Sequence, residues 1–174
     1  MSGFASKPST WGRTGSTARL IIGAIFVLFV GYIGVVFIAP TGLDVFWPYA
    51  PLWAAVGWGA SRLSFRPAGA LALLGLIMDL VTDAPVGCWS SILLVAFLTA
   101  SIFRQQALTD KTGVIRFFGD VSGFVLSFMF ARWLMGSYLG GVETREIIGG
   151  FLSAALLYYP LRPLFRLTTD ERVD

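Results

Sequence analysis

Six apolar stretches alternate with short polar gaps, and the positive charge collects in every second gap. Eleven of the 13 Lys and Arg residues follow this pattern. The basic gaps hold Lys7, Arg13 and Arg19, then Arg62 and Arg66, then Arg104, Lys111 and Arg116, and finally Arg162, Arg166 and Arg172. The gaps between them carry Asp44, then Asp83, then Glu143, Arg145 and Glu146. Cytoplasmic loops of membrane proteins collect Lys and Arg, and short loops follow this rule best. The ladder therefore predicts an all-α polytopic membrane protein with six transmembrane helices and both termini cytoplasmic. Two residues break it: Arg145 in an outer gap, and Arg132 inside an apolar stretch.

Composition agrees, since 56% of the chain is hydrophobic and 13% charged, against about 25% charged in soluble domains. The net charge of +3 is spread over several short gaps that also hold acids, so it marks topology and no nucleic-acid partner. One cysteine, Cys88, and no histidine exclude an internal disulfide and a Cys/His metal centre. Cys88 reads as a packing residue. No Ser-His-Asp set, HExxH or phosphate loop is present, which points away from an enzyme and from any cofactor.

The chain divides into a disordered cytoplasmic N-tail (1–17), a transmembrane domain (18–166) and a cytoplasmic C-tail (167–174). The first crossing is Arg19 to Ala39, too long for the apolar region of a signal peptide. The second runs from Trp47 to Ser61 and opens on Pro48 and Pro51, which suit a first helical turn. The third follows Arg66-Pro67 and ends near Asp83, and the fourth runs from Gly87 to Phe103 before a polar loop at Gln105 and Gln106. Stretches two to four are short enough to be thin, kinked or re-entrant. The fifth covers Ile115 to Leu139, and the sixth Ile147 to Leu164, where Pro160 and Pro163 end or kink it.

Intramembrane charges are rare and seldom face lipid. Asp79 lies about 20 Å along its helix from Arg66, and Arg132 about 24 Å along its own from Arg116. The two come out at similar depth. They either pair, or each reaches the outer headgroups separately, Arg132 by snorkelling. Asp120 shares a helix face with Arg116, which predicts an intrahelical pair, with contact to another helix as the alternative. Asp79 and Asp83 are four apart, and an outer turn explains them more simply than acid/base chemistry. Gly119 with Gly123, Gly57 with Ser61, and Gly150 with Ala154 have small-residue spacing for close helix packing, inside the chain or against a partner. Arg62, Arg66, Arg116, Asp120, Arg162 and Arg166 form the inner-face anchors.

Longer motifs add a resemblance. The run Trp47-Pro48-Tyr49-Ala50-Pro51-Leu52, then Trp58, Arg62 and Arg66-Pro67, leads into Gly75-Leu76-Ile77-Met78-Asp79-Leu80 and Asp83-Ala84-Pro85-Val86-Gly87. Together these resemble the MreD family of bacterial rod-shape proteins. The closing Tyr159-Pro160-Leu161-Arg162-Pro163-Leu164-Phe165 is similar to the same family's end. The match is good over residues 47–90 and rests on topology elsewhere. The chain departs in its longer polar N-tail and in Trp89, where a less bulky residue is expected.

The resemblance implies a fold like the substrate-binding component of energy-coupling-factor transporters. It implies a non-enzymatic role in wall elongation in the bacterial inner membrane. The implied partners are the transmembrane helix of MreC, the RodA glycosyltransferase, a class B penicillin-binding protein and MreB. Asp79, Pro85 and Gly87 would shape an outer turn. The fold likeness also brings an alternative, an outward-facing vitamin-type binding subunit.

Overall fold

The computed structural model describes residues 15–33, 49–60, 65–107, 114–138 and 144–167. Among these the chain is all-helical: α1 (Ser16–Ile33), α2 (Pro51–Gly59), α3 (Phe65–Val81), α4 (Cys88–Ala107), α5 (Val114–Tyr138) and α6 (Thr144–Phe165). Three segments are long and apolar enough to cross a membrane: Ser16–Ile33, Cys88–Gln106 and Phe117–Leu134.

The helices are arranged as a ring around a centre. Each of the other five packs on α2, and they pack on one another in the cyclic order α1, α3, α4, α5, α6. Every residue of α2 from Pro51 to Gly59 is buried. Its sequence, PLWAAVGWG, has no polar face to present outward, and a helix that is apolar all round belongs in a centre. Nine residues rise only about 14 Å, so α2 fills the middle of the bundle without spanning its height. Pro51 occupies the first turn, where its missing N–H costs nothing.

Close approach is made by small residues and side-chain hydrogen bonds. A Cβ on Gly57 would collide with Phe165 of α6, and one on Gly75 with the backbone of Ser90 in α4. Between apolar helices in lipid there is no hydrophobic driving force, so such contact and interhelical hydrogen bonding carry the association. The Trp53 indole donates to the Ala154 carbonyl at 2.8 Å, tying α2 to α6. Ser101 of α4 donates to the Gly59 carbonyl at 3.1 Å, satisfying an acceptor that the end of α2 leaves free.

Several boundaries differ from those read in sequence, among them the start of α1 at Ser16, ahead of Arg19 and inside the tail expected to be disordered. Helix α4 continues through Arg104, Gln105 and Gln106 to Ala107. These straight-chain residues are good helix formers, and a cation suits a last turn. Helix α6 starts at Thr144 and runs through both Pro160 and Pro163 to Phe165. Both prolines are exposed, and each removes one hydrogen bond from the helical ladder. Helix α2 ends at Gly59, short of the boundary expected at Ser61, which lies outside the described residues.

Candidate functional site

The turn between α3 and α4 is the most constructed part of the molecule. Helix α3 ends in a Schellman closure: the Ala84 N–H donates to the Asp79 carbonyl at 3.0 Å while Asp83 adopts φ +52°. Asp tolerates this left-handed position better than most side chains. The next helix begins at Gly87, with φ +89°, whose carbonyl accepts from the Ser91 N–H. Gly87 has no side chain to cap α4. The Asp79 carboxylate does so from the neighbouring helix, accepting from the Gly87 and Trp89 N–H groups, both at 2.7 Å. Asp79 is 2% exposed. Its charge is compensated by two charge-assisted hydrogen bonds and by the positive end of the α4 dipole.

Trp89 closes the same unit. Its indole N–H donates to the Thr82 hydroxyl at 2.9 Å, and that hydroxyl donates to the Met78 carbonyl at 2.8 Å. The ring packs edge-on against Tyr49, 5.6 Å between centroids, and Tyr49 packs on Phe151 at 4.7 Å. The bulk that departs from the resemblance is therefore used. Pro85 is exposed, and its carbonyl accepts from the Cys88 N–H.

Asp79 and Arg132 do not pair. Both Asp79 oxygens go to the amides that open α4. The reason is the ring order: α3 and α5 flank α4 on opposite sides, so equal depth does not bring their side chains together. Arg132 is half-buried and its guanidinium lies along its own helix by Gly136. Asp79 does not reach outward separately either, since its buried carboxylate is spent on α4.

At the other end of the bundle Asp120 of α5 bonds Arg162 of α6 at 2.6 Å, with the Arg162 side chain 19% exposed. This is the contact between helices that was the weaker expectation. The Arg116 side chain, expected to face Asp120, lies outside the described set, as do Ser61 and Arg62. Arg66 and Arg166 are exposed. Arg19 is 3% exposed and donates from Nη1 to the Arg166 carbonyl at 3.2 Å, placing a cation at the C-terminus of α6.

Gly119 and Gly123 face inward. A Cβ on Gly119 would stand 2.8 Å from Phe103, and one on Gly123 3.2 Å from Val56. Ala154, spaced with Gly150, is also buried. These small residues serve packing within the chain.

Sequence reasoning missed Arg19, Thr82 and Trp89 as polar contacts. Nothing in their spacing marks them, because each partner lies on another helix or past a turn. Among the described residues no group of His, Cys, Asp and Glu is arranged to hold a metal ion. No protein-family model, no curated protein and no solved structure matches the chain.

Proposed function

We propose that this chain is a non-enzymatic scaffold of a bacterial cell-wall elongation machinery. It crosses the inner membrane six times with both termini cytoplasmic. It holds the transmembrane helix of an MreC partner, and through it links RodA, a class B penicillin-binding protein and MreB. The observation that carries the reading is the α3–α4 unit. Gly75, Asp79, Pro85 and Gly87, on which the likeness to MreD rests, work there as one device that fixes a turn and a helix crossing.

Buried charge supports it further. Arg19, Asp79 and Asp120 each hold one helix against another. The faces available to partners are apolar: Ile21, Ile25 and Phe29 on α1, and Val121, Val125 and Met129 on α5 are exposed. An outward-facing vitamin-type binding subunit is less well supported. Tyr49, Trp89, Phe128 and Phe151 fill the end of the bundle at the α3–α4 turn with packed rings.

Photo-crosslinkers at Ile25, Phe29, Val121 and Val125, in cells that make MreC, test the proposal. The expected result is an adduct with MreC from one of these faces and none from Gly123, which points into the bundle. A small molecule that copurifies tightly, with no adduct from any face, overturns the scaffold reading. Reporters fused to both ends check the orientation, and a periplasmic signal from either end refutes it.

A further inference from the structure

Arg132 carries its charge inside an apolar span. It lies within Phe117–Leu134 of α5, one of the segments long and apolar enough to cross a membrane. No carboxylate among the described residues lies within ion-pair distance of it. Side chains on a helix tilt toward its N-terminus. The Arg132 chain runs the other way. Its Nη1 lies beside Gly136, one turn nearer the C-terminal end, where a Cβ would stand 3.4 Å from it. Gly136 is exposed, and no other group among the described residues comes within 4 Å of that point. Gly136 also lies past Leu134, where the apolar span ends. The guanidinium is thereby carried to the rim of the span, on an open shelf.

An apolar stripe leads up to that shelf. Val121, Val125, Met129 and Trp133 recur every four residues along α5, and all are exposed. Arg132 falls three residues after Met129 and seven after Val125, so it shares their face. From Val121 to Trp133 the helix rises about 18 Å, close to the roughly 15 Å of hydrocarbon in one leaflet. An acyl chain laid along the stripe therefore brings its headgroup to the guanidinium. Guanidinium and phosphate pair strongly and in bidentate geometry. The ammonium of a zwitterionic headgroup competes for its own phosphate, whereas an anionic headgroup has no internal cation. We propose that Arg132, with the α5 stripe beside it, binds one anionic phospholipid through its phosphate. The site requires that α5 cross a bilayer, and it does not depend on the scaffold reading.

A photo-crosslinker at Met129 tests it, in the full chain reconstituted into phosphatidylethanolamine bilayers with a minor share of phosphatidylglycerol. Phosphatidylglycerol adducts should exceed that lipid's share about fivefold, the attraction of one interfacial cation for an anionic lipid. Arg132→Gln should bring the adducts down to the bulk share, and Arg132→Glu should take them below it. Added inorganic phosphate should leave the enrichment unchanged. Adducts at the bulk share without the substitution, or enrichment kept by Arg132→Gln, overturn the proposal. Loss of enrichment in inorganic phosphate gives the guanidinium to free phosphate and overturns it as well. In native membranes the same crosslinker should again capture lipid. A protein adduct there that Arg132→Gln abolishes gives the guanidinium to a partner's carboxylate and overturns the lipid site.

Discussion

Removing the Asp79 carboxylate should loosen the junction of α3 and α4 by an amount that the geometry sets. The carboxylate accepts two backbone hydrogen bonds at 2.7 Å, from Gly87 and Trp89. Neutral interhelical hydrogen bonds in membranes average about 0.6 kcal/mol, so two such bonds give a floor of roughly 1.2 kcal/mol. Bonds to an ionised group run to about 1.5–3 kcal/mol each. Two of these place Asp79→Ala at about 3–6 kcal/mol, with the α4 dipole acting in the same direction. Asp79→Asn keeps one acceptor oxygen but turns an N–H₂ toward a backbone N–H, and should lose about half as much. Reversible unfolding of the purified protein in mixed micelles reads both values. A loss below about 1 kcal/mol for Asp79→Ala, less than two neutral bonds, would refute the argument that this carboxylate holds α4.

Three further outcomes follow from the packing. Gly75→Ala should be severely destabilising because the new methyl meets Ser90 backbone, whereas Gly123→Ala, facing the movable Val56 side chain, should cost under about 1.5 kcal/mol by the same unfolding measurement. Asp120→Asn or Arg162→Gln alone should each cost about 3–5 kcal/mol, and the double variant less than the sum, because a single change strands a buried charge. A double-mutant cycle across Asp79 and Arg132 should give coupling within about 0.5 kcal/mol of zero, as expected of side chains separated by α4; a coupling above about 1 kcal/mol would restore the pairing that the structure denies.

The helices themselves were largely legible. The apolar stretches and the Pro and Gly punctuation gave α5 within about a residue at each end, and placed the start of α4 at Gly87 and Cys88. The end of α4 was misread because polar Gln105 and Gln106 look like a loop, although helix propensity and the charge of Arg104 favour continuation. The prolines of α6 read as ending or kinking the helix, and they do not end it: α6 runs through both to Phe165. In the α3–α4 turn, Asp79, Asp83, Pro85 and Gly87 read in sequence as one turn motif. The partner of Asp79 was not, because a carboxylate that caps another helix leaves no periodic signal.

What the sequence determined by itself was position along one axis. Apolar length, turn residues and the charge ladder set roughly where each helix lies and how far along it each charge falls, and from these Asp79 and Arg132 are expected at similar depth. Only the tertiary structure decided the angle around the bundle. It put α2 at the centre, set the ring in the order α1, α3, α4, α5, α6, and so gave Asp79 to the end of α4 and Asp120 to Arg162. Depth is written in local hydrophobicity, residue by residue. Which neighbour a helix acquires depends on how all the surfaces interlock at once, through contacts such as Gly57 on Phe165 and Gly75 on Ser90 that join residues distant in the chain.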